Sequence, residues 1–220
     1  MANRPKSPEP RRPAPRLYLV VPPSGDPAGL ADALAQALHA VEVAAVLVSL
    51  TGDDERALLN GLKALAPAVQ SAGAALVLEG RADLVGRAGA DGAHLSGVED
   101  LSAAVPSLKP DRIAGCGGLA TRHDAMLAAE AGADYVMFGE PDENGHRPSF
   151  DAVIERVEWW AEVFQIPCVG FAAHPDEIAA LVTAGADFVA VGQFIFDDPR
   201  GPAAAMKDAQ ALLSIPEAVE

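Results

Sequence analysis

The sequence predicts an α/β fold, a single (β/α)8 TIM barrel, and three observations support this prediction. An Ala-Gly-Ala-Asp unit occurs three times, beginning at Ala88, Ala131 and Ala184, and each copy precedes a short apolar run. Apolar segments alternate strictly with helical patterns along the chain. At 220 residues the chain is long enough for one such barrel and too short for two.

The repeated unit has the properties of a turn from a helix into a buried strand. Glycine ends helices well because it tolerates the left-handed conformation, and a continuous apolar run suits a parallel strand covered on both faces. Eight such units favour a closed barrel. An open flavodoxin-like or Rossmann sheet is the alternative, but VVPPSGDP, which follows the first strand, lacks the Gly-x-Gly-x-x-Gly turn of dinucleotide-binding proteins.

The predicted elements follow from these patterns. We expect strands at Leu17–Pro22, Ala45–Leu50, Ala75–Glu79, Gly92–Leu95, Arg112–Gly117, Tyr135–Gly139, Pro167–Phe171 and Phe188–Gly192. We expect helices at Pro27–Ala40, Glu55–Ser71, Thr121–Ala131, Phe150–Phe164 and Asp176–Ala184. Many of these helices begin with Asp, Ser, Thr or Pro, which are common helix-start residues.

Composition and charge limit the classes of function. Residues 1–15 are rich in Pro and Arg and predict a disordered tail, so the barrel domain is expected at residues 16–215. The segment Met1–Arg16 holds five of the 16 basic residues and one of the 31 acidic residues. The rest of the chain is therefore strongly anionic, which argues against nucleic acid or an anionic membrane as a partner.

The two cysteines and the apolar segments point to the cytoplasm. Cys116 and Cys168 lie in strand-like contexts, so buried thiols in a reducing compartment are favoured over a disulfide. No apolar run reaches the roughly 18 residues that a membrane span needs. A homo-oligomer is compatible with exposed helix faces, on which we expect Trp159 and Trp160.

In a barrel, chemistry is expected in the loops at the C-terminal ends of the strands. Glu79 ends the third strand and Glu99 and Asp100 follow the fourth, a placement that suits a hard divalent cation. Asp100 also has the properties of a cap for a helix beginning at Leu101. The sixth loop, EPDENGHRPS, could close over a ligand with His146 and Arg147 as its only cations, or be a solvated surface loop.

Two histidines and one pair of loops complete the candidate residues. His94 lies inside a strand and is expected to be a core histidine. His174 follows the seventh strand, where a catalytic base or a helix-start residue are both compatible with the sequence. The loops after strands seven and eight often bind phosphate through backbone N–H groups, which here predicts Ala172, Ala173, Gly192 and Gln193.

Several segments, in this order and spacing, resemble the thiamine-phosphate synthase family, which includes thiazole tautomerase relatives. They are LYLVV from Leu17, RADL from Arg81, AGADGAHLS from Ala88, AEAGADYVMFGEP from Ala129, IPCVGF from Ile166 and AGADFVAVGQFIF from Ala184. The resemblance implies a (β/α)8 barrel that joins hydroxymethylpyrimidine diphosphate to thiazole phosphate and releases pyrophosphate with magnesium. It implies that Arg81 and Arg147 face the diphosphate.

The loops depart from the family pattern. Ser49–Asp54 carries carboxylates where the family has Arg and Lys, and Glu79-Gly80-Arg81 replaces Asn-Asp-Arg. The sixth loop lacks the family's Lys, Ala172-Ala173 replaces Gly-Gly, and Gln193 replaces Ser. Three functions are therefore compatible with the sequence. They are the family reaction, a catalytically silent phosphate-binding paralogue with a regulatory role, and an isomerase of a phosphorylated thiazole with His174 or Glu140 as base.

Overall fold

Eight β-strands alternate with helices in the part of the chain that a computed structural model describes, residues 13–24, 27–52, 54–142 and 144–214. The strands are β1 (Arg16–Ser24), β2 (Val43–Leu50), β3 (Ala75–Glu79), β4 (Gly92–Ser96), β5 (Ile113–Gly117), β6 (Tyr135–Phe138), β7 (Cys168–Ala172) and β8 (Phe188–Val191). The α-helices are α1 (Pro27–Ala40), α2 (Glu55–Ser71), α3 (Val85–Ala88), α4 (Gly97–Leu108), α5 (Arg122–Glu130), α6 (Phe150–Val163), α7 (Ile178–Thr183), α8 (Gln193–Phe196) and α9 (Pro202–Leu212). Short 3-10 segments at Ala82–Leu84 and Pro175–Glu177 precede α3 and α7.

The strands form a closed parallel barrel in chain order. Closure is made by β1 and β8, where Leu17 lies opposite Val189 and Leu19 lies opposite Val191. An open doubly wound sheet would leave two edge strands, so this register rules out the alternative topology. The predicted (β/α)8 barrel is confirmed, and each predicted strand has its counterpart.

Alternate residues of the strands build two separate apolar layers. Residues facing the barrel interior include Tyr18, Leu47, Val77, Tyr135 and Met137. Their neighbours along the strands face outward and pack against the helices in a larger cluster. This alternation explains why strands buried on both faces are continuously apolar in sequence.

The Ala-Gly-Ala-Asp units make a specific contact that joins neighbouring strands. The carboxylates of Asp91, Asp134 and Asp187 accept hydrogen bonds from the backbone N–H groups of Leu76, Ala114 and Cys168, at 2.7, 2.8 and 2.9 Å. The backbone N–H of each Asp donates in return to the carbonyl of the same strand residue. We call these three paired contacts the Asp clasps. The glycine of each unit has positive φ, as a helix-ending residue requires.

Helix starts follow the residues that cap them. Asp54 accepts from the N–H groups of Arg56 and Ala57 at the start of α2, and Thr121 and Asp124 form a reciprocal capping box at α5. The expected start of the fourth helix at Leu101 is wrong. Helix α4 begins at Gly97, so Asp100 lies within its first turn instead of capping it.

Two expectations about side-chain exposure have different outcomes. Cys116 and Cys168 are buried and are not joined by a disulfide, as predicted. Trp160, expected on an exposed face, is fully buried because its ring stacks on Phe164 and its indole N–H donates to the carbonyl of Ile166 at 2.7 Å. Among the described residues no helix is both long and apolar enough to cross a membrane. Most of the predicted tail, residues 1–12, lies outside the described residues.

Candidate active site

A chain of hydrogen-bonded polar side chains crosses the barrel interior. The hydroxyl groups of Tyr18 and Tyr135 lie 2.7 Å apart, and the Tyr135 hydroxyl lies 2.9 Å from Nδ1 of His94. The three residues come from β1, β6 and β4, so the chain links strands on different sides of the barrel. Each of these polar groups therefore has a partner in an otherwise apolar interior, as burial requires.

Burial fixes the protonation states of this chain. Desolvation lowers the pKa of His94 to about 4, so the imidazole is neutral near pH 7. Desolvation likewise raises the pKa of both tyrosines, and the neighbouring Glu79 carboxylate adds to the effect at Tyr18. The expectation that His94 is a core histidine is confirmed, and its Nδ1 is committed to Tyr135.

Glu140 lies at the end of the barrel where the strands have their C-terminal ends, which we call the mouth. It follows β6 by two residues, and its Oε1 accepts a hydrogen bond from the Gly118 N–H at 2.5 Å. Its other oxygen, Oε2, is buried and makes no hydrogen bond to any described residue. Burial raises the pKa of Glu140 to about 6, with a smaller contribution from the negative charge of Glu79.

Two glycines of β5 create the space for these side chains. A Cβ at Gly115 would overlap the ring of Tyr135. A Cβ at Gly117 would overlap Glu140 Oε1 and lie 2.6 Å from His94 Nε2. The carboxylate of Glu140 and the imidazole of His94 therefore occupy the volume that a side chain at position 117 would need.

The predicted metal-binding carboxylates lie at the mouth without forming a cluster. Glu79 ends β3 and is exposed, while Glu99 and Asp100 are exposed in the first turn of α4. The described residues contain no group of three or more His, Cys, Asp or Glu side chains that could hold a metal ion. The structure thus does not bring these three carboxylates together as a complete protein-made site.

Arg81 is paired within its own turn. Its Nε and Nη2 atoms donate to the two carboxylate oxygens of Asp83 at 2.9 and 2.8 Å. Both side chains are substantially exposed, at 39% and 58%. Exposed ion pairs contribute little to stability, so this guanidinium can exchange its partner at small cost.

Arg147 is held much more firmly. Its Nη1 donates to both carboxylate oxygens of Glu177 at 3.0 and 3.1 Å, and its other nitrogens donate to the carbonyls of Gly139 and Phe171. The side chains of Arg147 and Glu177 are only 21% and 11% exposed. The segment after β6 is therefore tied to the turn after β7 by a largely buried ion pair.

The predicted phosphate-binding residues lie where the strands β7 and β8 end. Ala172 ends β7, and the N–H of Ala173 donates to Glu177 Oε2 at 2.7 Å. Gly192 and Gln193 begin the short helix α8, and the Gln193 side chain donates to both oxygens of Asp197. One of the predicted anion-binding N–H groups is thus engaged by a carboxylate of the chain itself.

His174 is exposed and directly precedes the 3-10 segment Pro175–Glu177. Sequence reasoning did not single out Tyr18, Tyr135 or Glu177, and it considered Glu140 only as an isomerase base. The spacing of Gly115 and Gly117 could have indicated that large side chains pack over β5, because glycines at alternate positions of a strand leave room on one face.

The barrel and its polar mouth define a class of protein, a (β/α)8 barrel with its candidate active site at the C-terminal ends of the strands. The sequence profile of thiamine monophosphate synthase matches residues 17–195. The chain belongs to the thiamine-phosphate synthase family.

Individual relatives agree with this assignment. The chain is 40% identical to thiamine-phosphate synthase of Rhodospirillum centenum over 88% of this chain and 95% of the relative. It is 38% identical to thiamine-phosphate synthase of Hyphomonas neptunium over 91% of this chain and 95% of that relative. Thiamine phosphate pyrophosphorylase from Pyrococcus furiosus has a similar structure, with a TM-score of 0.76 at 19% identity over 90% of this chain and 95% of that one. A 3-hexulose-6-phosphate synthase, with a TM-score of 0.71 at 16% identity over 90% and 100%, shares the fold.

Proposed function

We propose that this protein joins hydroxymethylpyrimidine diphosphate to thiazole phosphate, giving thiamine phosphate and pyrophosphate. The observation that carries the proposal is the cluster of polar side chains His94, Tyr135 and Glu140, with Glu140 at the mouth of a barrel from this family. A neutral imidazole and a carboxyl group near the C-terminal ends of the strands are polar groups of the kind that orient a small ligand in such a barrel. The exposed rim of the mouth is left for the charged groups of the substrates.

Arg81 is the guanidinium that we assign to the diphosphate. Its pair with Asp83 is exposed, so phosphate oxygens can replace the carboxylate at little cost. Arg147, the other predicted diphosphate ligand, would have to leave a largely buried partner, which is expensive. We therefore assign Arg147 to holding the loops after β6 and β7 in place.

Magnesium fits the donor atoms at the mouth. Carboxylate oxygens are the ligands that this ion prefers, and it commonly binds through one or two carboxylates together with substrate phosphates. Glu79, with Glu99 or Asp100, would hold it. When bound, the ion neutralises charge that develops on the departing diphosphate.

The thiazole phosphate is assigned to the ends of β7 and β8. Backbone N–H groups at Gly192 and Gln193, next to Ala172, would face this phosphate. The Ala173 N–H donates its hydrogen bond to Glu177 instead of to the phosphate. We also expect the protein to act in the cytoplasm, because its two cysteines are buried and are not joined by a disulfide. A homo-oligomer is compatible with this proposal.

The test is product formation by the purified full chain with both substrates and magnesium, with thiamine phosphate measured by mass spectrometry. Arg81→Ala should lower the rate by about 10²- to 10³-fold, as loss of one preorganised contact to a developing charge does. The control is Arg87→Ala, which removes a nearby arginine paired with Glu55. If no product forms under any condition, the proposal is wrong.

A second candidate function is that of a catalytically silent paralogue, which binds a phosphorylated ligand and has a regulatory role. It is favoured by Glu177, whose carboxylate engages Arg147 and the Ala173 N–H at the predicted anion site. Thiazole phosphate that stabilises the protein against heating without any turnover would support it.

A third candidate is an isomerase of a phosphorylated thiazole, favoured by the unpaired oxygen of Glu140. Glu140→Gln and His174→Ala each test the base. Isomerase activity that survives in both variants would rule out this assignment of the base.

A further inference from the structure

We propose that Glu177 is a specificity-determining residue, whose carboxylate broadens the second substrate from thiazole phosphate to the corresponding unphosphorylated alcohol. The inference deepens the proposed function and rests on it, because it concerns the second substrate of that reaction. Its basis is that the chain places a negative charge of its own at a strand end where barrels of this kind commonly bind phosphate.

The first step is that the hydrogen-bond donors at the end of β7 are already engaged. The N–H of Ala173 donates to Glu177 Oε2 at 2.7 Å, and Nη1 of Arg147 donates to both oxygens of the same carboxylate at 3.0 and 3.1 Å. The other two nitrogens of Arg147 donate to the carbonyls of Gly139 and Phe171. A phosphate at this strand end therefore has to displace Glu177 to reach either the backbone N–H or Nη1 of the guanidinium.

The second step is that displacing Glu177 is unfavourable. Its side chain is 11% exposed and that of Arg147 is 21% exposed, so the ion pair is largely removed from water. Separating such a pair leaves a buried charge without its partner, which is much more costly than opening an exposed pair. With Glu177 in place, the guanidinium is neutralised and the carboxylate repels a phosphate dianion, whereas an uncharged hydroxyl group is not repelled.

The third step is that the neighbouring strand end compensates only in part. The Gln193 side chain donates to both carboxylate oxygens of Asp197 at 2.8 and 2.9 Å, so a second carboxylate lies just after β8. The proposed function leaves the phosphate the backbone N–H groups at Gly192 and Gln193, which carry no net charge. The affinity that a phosphate gains over a hydroxyl group at these two strand ends is therefore small.

The alcohol can react because the phosphate of the second substrate takes no part in the change of bonds. The ring nitrogen of the thiazole supplies the electron pair for the new bond to the methylene carbon of the pyrimidine. Pyrophosphate leaves with the electron pair of the C–O bond that breaks. The side chain that carries the hydroxyl or the phosphate is unchanged, so the alcohol gives thiamine where the phosphate gives thiamine phosphate.

The experiment measures the affinities of the full chain for thiazole phosphate and for the thiazole alcohol by calorimetry. The wild-type protein should bind the phosphate at most about 10-fold more tightly, which is the contribution of a hydrogen bond between uncharged groups. Glu177→Ala should raise this ratio by at least about 10-fold, because it releases one charged donor and one backbone donor to the phosphate. A larger ratio in the wild type, or a ratio that Glu177→Ala leaves unchanged, would overturn the proposal.

Two further variants separate this role from a general effect of charge and from poor folding. Asp176→Ala removes an exposed carboxylate from the same 3-10 segment, so it changes the net charge equally but releases neither donor. It should keep the wild-type ratio. Glu177→Gln keeps the size of the side chain, removes its charge and should raise the ratio even if Glu177→Ala is poorly folded. An equal rise in Asp176→Ala, or no rise in Glu177→Gln, would contradict the proposal.

Failure of this inference can be separated from failure of the proposed function, because the affinities are measured without turnover. Affinity ratios that change as expected, with no product from either thiazole in the presence of the pyrimidine diphosphate and magnesium, would sustain the role of Glu177 and refute the function. Formation of thiamine phosphate from thiazole phosphate, with no thiamine formed from the alcohol, would sustain the function and refute the inference.

Discussion

The carboxylate of Glu177 accepts two hydrogen bonds from the Arg147 guanidinium and a third from the N–H of Ala173. A guanidinium and a backbone N–H at the end of a barrel strand are groups that commonly bind phosphate. In this chain the carboxylate of Glu177, a few residues after β7, accepts hydrogen bonds from both groups. Glu177 thus takes the place of a bound anion, and we call its carboxylate the internal anion. Its position is fixed by Arg147 from the loop after β6.

Removing this internal anion should destabilise the protein and create an anion-binding site. Glu177→Ala leaves Arg147 largely buried without its partner, and we expect the free energy of unfolding to fall by about 3 kcal/mol. Inorganic phosphate should then raise the melting temperature of this variant more than that of the wild type. Thermal unfolding with increasing phosphate checks both statements.

The matched control is Asp208→Ala, which removes a partner of Arg200 in an exposed pair. Its effect should stay below about 1 kcal/mol, because exposed pairs contribute little. An equal phosphate response in Glu177→Ala and wild type would show that the position of Glu177 is not an anion site.

Glu140 should make stability depend on pH. Its pKa is raised from 4.5 to about 6 in the folded protein, so the folded state holds this proton more tightly than the unfolded chain. Stability is therefore greatest when the group is protonated and falls as pH rises through about 6. The loss amounts to about 2 kcal/mol by pH 8.

Glu140→Gln isolates this effect from other titrating groups. His94, whose pKa is lowered to about 4, acts in the opposite sense, since stability that it contributes is lost as pH falls. His94 is present in both proteins, so its contribution drops out of the difference in unfolding free energy between Glu140→Gln and wild type. We expect it to shift in favour of the variant by about 2 kcal/mol between pH 4 and pH 8. Glu158→Gln, on the exposed face of α6, serves as control.

The stability that the hydrogen-bonded chain inside the barrel contributes should depend more on its middle residue, Tyr135, than on its end residue, Tyr18. Tyr135 contacts both Tyr18 and His94, whereas Tyr18 contacts Tyr135. Tyr135→Phe therefore leaves two buried groups without their partner, and we expect it to cost about 3 kcal/mol, against about 1 kcal/mol for Tyr18→Phe. Chemical denaturation measures both. Equal costs would mean that the chain is not a connected unit.

Removing an Asp clasp should lower the stability of the protein without changing the function of the candidate site at the mouth. Asp134→Ala removes the acceptor for the Ala114 N–H and the partner of Lys109, and we expect a loss of about 2 kcal/mol. The rate of thiamine phosphate formation should be unchanged in the folded protein, since the clasp precedes the strands and the candidate site follows them. Asp111→Ala, at an exposed position in the turn before β5, should change stability by less than about 0.5 kcal/mol.

The fold was predictable because its determinants are local. The glycine that ends each helix and the apolar run after each Asp specify a helix-to-strand turn without reference to distant residues. The first two helices, Pro27–Ala40 and Glu55–Ser71, have the predicted bounds. Helix α4 starts earlier than expected because Gly97, Val98 and Glu99 join its first turn, although the sequence marks Asp100 as a cap.

The candidate site was less predictable because its determinants are not local. Glu177 is separated from Arg147 by 30 residues and Tyr18 from Tyr135 by 117, so their pairing depends on barrel closure. Tyr135 looks like one more apolar strand residue in AGADYVMFG. Its inward orientation follows from the register with Gly115, which a single sequence does not display.

The Asp clasps fall on alternate strand pairs, β3 with β4, β5 with β6 and β7 with β8. Six of the eight strands are therefore joined in clasped pairs, and the connections from β4 to β5 and from β6 to β7 carry no clasp. A circular permutant whose new termini fall between Lys109 and Arg112 would keep every clasp within a continuous stretch of chain. Termini placed between Ala131 and Ala133 would divide the Asp134 clasp between the two ends of the new polypeptide.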